Sequence, residues 1–224
     1  MDRNLAAKFS EEIGIDAEQI VREWWEMVIL RDIFASSIGN NLFFKGGTAM
    51  RLVYGSPRFS DDLDFSLIRK FPFKSFQNTV SLIEKRYSEL DIRDISDKRY
   101  TYIAQYRIRE PWKPWALSVK IEMSKRVVRA EKNAYVLMNL KSQVSNIEAL
   151  ANVMKIENVY KDKLRAIKTR DEPRDLFDLW YLSGILKKPY NPPRGKFDKE
   201  MLTQNLRKYL PKDYWKVIDK LIRR

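Results

Sequence analysis

The chain has no histidine and no cysteine among its 224 residues. Without thiols there is no disulfide framework and no cysteine nucleophile; without imidazole there is no histidine base and no zinc site of the usual ligand types. Any chemistry must come from carboxylates, lysines, hydroxyls and backbone groups. Long apolar runs are also missing: none approaches the roughly 20 residues needed to span a bilayer. The opening MDRNLAAKFSEEIG lacks the cationic-then-apolar order of an export signal. These absences lead us to expect a cytoplasmic protein with no membrane partner.

Positive charge, by contrast, is in excess. The 43 Lys and Arg outnumber the 30 Asp and Glu, for a net charge of +13. Such a surface field attracts phosphates, nucleic acid or an acidic protein. The 44% hydrophobic and 12% aromatic content argues against disorder. The length suits one core with a smaller helical extension.

Periodicity sets out the elements. Apolar Ile20, Trp24, Val28 and Phe34 predict an amphipathic helix over about 16–38, with Asp16 as its cap. A short buried strand at 42–44 then meets a glycine turn, Gly46-Gly47-Thr48, that opens a helix reaching residue 54. A second strand follows at 63–68, then a helix at 74–90. Strands at 100–109 and 116–124, separated by Pro111 and Pro114, should form an antiparallel pair. From about residue 146 the pattern reads as helical, with segments at 147–170, 174–186 and 198–224. The expected class is α/β (α+β), with a core and N-terminal helix over 1–145 and a helical lobe over 146–224.

Asp62 and Asp64 are two residues apart, so on a strand they share one face. Two carboxylates so placed repel unless cations screen them. Taken alone, such a pair is commonly an edge or turn feature. Here it follows a glycine turn at a helix start, where free amides and the helix dipole favour phosphate. Magnesium or manganese bound by these carboxylates could bridge them to a triphosphate. Glu122, alternating with Ile121 and Met123, offers a third carboxylate, although its bland reading is a solvent-facing strand residue.

Four segments carry a family resemblance: Lys45-Gly-Gly-Thr-Ala-Met-Arg-Leu, Arg58-Phe-Ser-Asp-Asp-Leu-Asp-Phe, Lys120-Ile-Glu-Met-Ser, and Lys163-Leu-Arg-Ala-Ile-Lys-Thr-Arg-Asp-Glu-Pro-Arg-Asp-Leu-Phe-Asp-Leu. Together, across residues 40–185, they resemble the AbiEii/AbiGii type nucleotidyltransferase toxins of the DNA polymerase beta-like superfamily. The resemblance implies a mixed-sheet nucleotidyltransferase core with a C-terminal helical lobe. It implies Asp62, Asp64 and Glu122 as metal-binding and catalytic carboxylates, with Lys163 and Asp178 as further catalytic residues. Gly46, Gly47, Thr48, Ser60 and Lys163 would face the nucleotide, supported by Lys45, Arg58, Arg170, Arg174 and Asp175.

The implied reaction moves a nucleoside monophosphate from a nucleoside triphosphate to an acceptor hydroxyl, releasing pyrophosphate. The expected acceptor is RNA, specifically transfer RNA, which the +13 charge suits, and an antitoxin is the implied cellular partner. Two other readings remain: a silent nucleotide- or RNA-binding module, and a transferase acting on protein or small molecules. An alternative for the last motif is a set of surface ion pairs, with Arg174 and Asp178 joined four residues apart on one helix face. Trp24 and Trp25 are expected to pack rather than stack on bases.

Overall fold

The computed structural model describes residues 1–127, 134–193 and 195–222. Helix α1 (Arg3–Ile13) is capped by Asp2, whose carboxylate accepts from the Asn4 and Leu5 amides. It stops at Gly14, which takes the left-handed conformation at φ 73°. Helix α2 (Ala17–Ala35) starts where the Asp16 carboxylate accepts from the Glu18 amide at 2.7 Å, as its cap position predicts. Ile20, Val21, Trp25, Met27, Val28, Ile29 and Leu30 of α2 are all buried. The helix therefore lies inside the core rather than along its surface.

Next come β1 (Leu42–Lys45), α3 (Gly46–Tyr54) and β2 (Asp62–Leu67), followed by α4 (Phe73–Arg86). Four strands, β3 (Leu90–Asp97), β4 (Thr101–Ile108), β5 (Leu117–Ser124) and β6 (Tyr135–Ser142), lead to β7 (Ser145–Met154). Among the described residues seven strands form one mixed sheet in the order β3-β4-β5-β2-β1-β7-β6. β2 runs parallel to β5 and β1 parallel to β7; the other neighbours are antiparallel. The expected antiparallel pair is β4 and β5, joined from Thr101–Ser124 to Ile108–Leu117.

Two expectations change. The segment read as the start of a long helix at 147 is β7, so the helical lobe begins with α5 (Ile156–Thr169). Apolar spacing alone could not separate the two, whereas β7 sits between β1 and β6 and buries Ala149, Ala151 and Val153. The helix expected to reach residue 90 ends at Arg86, and Leu90 opens β3.

After α5 come α6 (Pro173–Ile185), with Pro173 in its first turn, α7 (Lys199–Leu206) and a 3₁₀ segment at Lys212–Lys220. Their core gathers Ile167, Leu176, Phe177, Leu179, Leu202 and Leu206 around Phe43 of β1 and Met50 of α3. This apolar continuity ties the lobe to the sheet. The Tyr54 hydroxyl donates to the Met154 carbonyl at 2.6 Å, and the Tyr181 hydroxyl to the Tyr54 carbonyl at 2.8 Å. No helix among the described residues is long and apolar enough to cross a membrane.

Candidate active site

Parallel pairing of β2 with β5 sets Asp64 directly beside Glu122 and Asp62 beside Lys120. Antiparallel pairing with β1 puts Lys45 on the other side of Asp64. The three carboxylates expected from strand alternation therefore lie on adjoining strands of one sheet face. Burial pushes the Asp64 carboxyl up to about 6; nearby Asp62 and Glu122 add to the shift and Lys45 opposes it. Burial also raises Asp62, with Lys120 opposing and Asp61 adding.

Asp64 and Glu122 line a cavity of about 540 Å³ together with Lys45, Gly46, Lys163 and Arg170. Across it, the sheet supplies acids and α5 supplies the lysine. The start of α3 opens onto the same space at Gly46, and its N-cap residue Lys45 makes no side-chain capping bond. The first amides of α3 are therefore available to an anion, where the helix dipole favours it.

Both glycines at this turn are dictated by their neighbours. Gly46 adopts φ 82°, and a Cβ there would lie 2.1 Å from Asp64 Oδ2. At Gly47 a Cβ would lie 2.5 Å from an Arg58 guanidinium nitrogen and 2.7 Å from Ser60 Oγ. Ser60 is thus placed against the α3 start.

Thr48 is placed differently from its expected phosphate contact. It is 1% exposed, and its hydroxyl donates to the Asp62 carbonyl at 2.7 Å. Its contribution is to fix the first residue of β2, making it a positioning residue.

Arg58, Lys163, Arg170, Asp175 and Asp178 form one chain of alternating charge. Arg58 donates through Nε and Nη2 to both Asp178 oxygens at 2.7 and 2.8 Å. Lys163 Nζ lies 2.6 Å from Asp178 Oδ2 and 2.8 Å from Asp175 Oδ1, and Arg170 Nε 2.5 Å from Asp175 Oδ2. Burial alone would raise the Asp178 carboxyl, but Arg58 and Lys163 hold it down at about 2. Asp178 is 0% exposed and does not line the cavity; it holds Lys163 and Arg58 from behind it.

The helical pair expected between Arg174 and Asp178 is not formed. Asp178 faces inward to Arg58, whereas Arg174 lies 4.0 Å from Asp61 and over the Tyr209 ring at 5.2 Å. The Tyr209 hydroxyl donates to Asp61 at 2.5 Å, and the Phe59 amide donates to the Tyr209 carbonyl at 2.8 Å. The C-terminal segment therefore braces the loop that carries Ser60 and leads into Asp62 of β2. Nothing local in the sequence marked Tyr209, which lies 148 residues from Asp61.

Sequence reading also missed Lys120, which pairs with Glu122. Their i, i+2 alternation on β5 was a signal that could have found it. Among the described residues no group of three acidic side chains is gathered closely enough to hold a metal ion. The expected ligand set of Asp62, Asp64 and Glu122 is therefore aligned by register but not converged, and Glu122 is paired with Lys120. The remaining pair still suits magnesium, which is usually held by one or two carboxylates plus substrate phosphates.

Several solved structures share the fold, among them the following two. JHP933 from Helicobacter pylori is 23% identical, with a TM-score of 0.58 over 92% of this chain and 78% of that one. MenT4, a nucleotidyltransferase toxin of Mycobacterium tuberculosis, is 17% identical, with a TM-score of 0.62 over 92% of this chain and 69% of that one. A search of curated protein sequences finds no match. The model of the nucleotidyl transferase AbiEii toxins of type IV toxin–antitoxin systems matches residues 28–222, spanning every element of the site. The chain belongs to that family and is a nucleotidyltransferase.

Proposed function

We propose that the protein transfers a nucleoside monophosphate from a nucleoside triphosphate to a hydroxyl of RNA, with transfer RNA as the acceptor. The observation that carries this reading is the single cavity in which Asp64 and Glu122 face Lys163 and Arg170, with the uncapped start of α3 at Gly46 between them. The triphosphate lies against the Gly46 and Gly47 amides and Ser60, with Lys45, Lys163 and Arg170 balancing its charge. Lys163 serves as a point charge, fixed by Asp175 and Asp178.

Asp62 and Asp64 would hold magnesium or manganese, with Glu122 joining them on release from Lys120. The bound ion would supply charge stabilisation at the phosphates. The acceptor oxygen attacks the α-phosphorus, and the bond from that phosphorus to the bridging oxygen breaks in line. Pyrophosphate leaves with that electron pair, and a carboxylate of the cluster, Glu122 or Asp64, takes the hydroxyl proton. Positioning and preorganised charge provide the catalysis, which accords with a chain that has no histidine.

As a type IV toxin the protein works opposite an antitoxin, its proposed cellular partner. The test is incubation with total transfer RNA, magnesium and each labelled nucleoside triphosphate in turn, alongside Asp62→Ala. Label on RNA with the parent protein alone supports the reading. Label on protein or a small hydroxyl acceptor instead would move the substrate to that class; no label anywhere defeats the transfer assignment for these acceptors.

A further inference from the structure

Beyond the catalytic cavity, a second one of about 320 Å³ opens where β4 begins and β5 ends, lined by Lys70, Phe71, Arg99, Tyr100, Lys125 and Arg126 among others. Among the described residues no acidic side chain lines it. Of the four cations that line it, only Lys125 is ion-paired among the described residues, to Asp97. Tyr100 is 48% exposed. The guanidinium carbons of Arg99 and Arg126 lie 5.0 and 5.1 Å from its ring centroid. Like charges held together around an exposed ring are costly unless a polyanion with flat apolar faces joins them.

The cavity is connected to the chemistry. Arg126 also lines the catalytic cavity, so one side chain borders both. Along the sheet, Glu122 is opposite Ile103 and Ser124 is opposite Thr101, and the Lys125 amide donates to the Tyr100 carbonyl at 2.8 Å. Tyr100 lies in the turn before β4, three residues from Ile103, the strand partner of Glu122; an odd separation on an extended strand turns side chains to opposite faces, so Arg126, just past the end of β5, is the side chain that links the two cavities.

We propose that Tyr100, flanked by Arg99 and Arg126, is a stacking shelf for an unpaired nucleotide of the acceptor strand, with Arg126 standing between the shelf and the catalytic cavity. The proposal rests on the polynucleotide-acceptor reading above and adds the surface that holds the strand. The base enters against the Tyr100 ring, and the two guanidiniums turn to its phosphates or stack on its other face. An unpaired base offers both of its faces and its edges to the ring and guanidiniums, whereas a duplex end offers one face of a base pair, so an unpaired terminus is favoured. An acidic peptide would satisfy the cations but would leave the ring unused.

The experiment is fluorescence anisotropy of the full chain with an unstructured RNA oligonucleotide, a blunt RNA duplex and a poly-glutamate peptide, without nucleoside triphosphate. The single strand should bind at least tenfold more tightly than either alternative. Tyr100→Ala should weaken it about tenfold or more, Tyr100→Trp should keep it within about threefold, and Arg126→Ala should reduce the salt slope by about one. Equal binding of the duplex or the peptide, or an unchanged affinity in Tyr100→Ala with an unaltered melting temperature, overturns the shelf. Transfer to RNA with an unchanged KM for RNA in Tyr100→Ala would likewise overturn it while sustaining the activity. Tyr100-dependent oligonucleotide binding without transfer to any RNA would sustain the shelf and defeat the acceptor reading.

Discussion

Replacing Asp178 with Asn should be the most damaging single change outside the carboxylate cluster. The side chain is fully buried and forks onto Arg58, with Lys163 on one of the same oxygens. Removing its charge leaves a 2%-exposed guanidinium and an 8%-exposed ammonium short of a partner. Breaking a buried pair in this way costs about 3–5 kcal/mol. For a chain of this size that corresponds to a fall of about 6–20 °C in melting temperature. The same carboxyl links stability to pH. Held at about 2 when folded, against 3.8 for an ordinary aspartate, it contributes about 2–3 kcal/mol. That contribution is complete above pH about 4 and is lost as pH falls through 2. Calorimetric melting of parent and Asp178→Asn from pH 7 to pH 3 reads both effects, and the gap between the two curves should narrow toward acid. A double variant, Arg58→Met with Asp178→Leu, should recover much of the stability but not the transfer rate, because Lys163 still lacks one anchor. Melting of Asp178→Asn within 2 °C of the parent at pH 7 would refute the reasoning.

Three further outcomes follow from the packing. Gly46→Ala forces a left-handed alanine at a cost of about 1–2 kcal/mol and drives a methyl into Asp64; transfer should fall at least about a hundredfold, with only a modest fall in melting temperature. Thr48→Val keeps volume but loses the bond to the Asp62 carbonyl; unfolding assays should show a loss of about 0.5–1.5 kcal/mol with a several-fold slower transfer. Glu26 is buried with one oxygen unpartnered among the described residues, and burial together with Glu23 raises its carboxyl well above the usual range. An acid raised on folding stabilises fully below its unfolded pKa and loses that contribution as pH rises. Glu26→Gln should therefore melt higher relative to the parent at pH 8 than at pH 4, and parallel curves would contradict this.

The sequence showed the acidic face more clearly than the surrounding network. Asp62, Asp64 and Glu122 were visible because strand alternation is local, and the register of β2 on β5 then places Asp64 beside Glu122. β7 was hidden because its alanines and spaced apolar residues also suit a helix; only burial between β1 and β6 decides it. β3 was hidden for a different reason: as an edge strand with three Asp and an Arg among its eight residues it has no clean apolar alternation. The Arg58–Asp178 pair spans 120 residues. No local rule could prefer it to the helical spacing of Arg174 and Asp178, which fails because that face of α6 points into the core. Thr48 and Ser60 both lie beside the glycine turn, but only the packing shows that one hydroxyl binds a β2 carbonyl.

In the proposed reaction Asp64, with Asp62 beside it on β2, and Lys163 act on one bound triphosphate from opposite walls of the cavity that Asp64 and Lys163 line. Single-turnover transfer to RNA with magnesium should be measured for the parent, Asp64→Asn and Lys163→Ala, together with triphosphate affinity. The account predicts transfer reduced at least about a thousandfold in Asp64→Asn, with triphosphate binding retained when metal is omitted. It predicts both weaker binding and slower transfer in Lys163→Ala. Near-parental transfer in Asp64→Asn, with the protein folded, would contradict it.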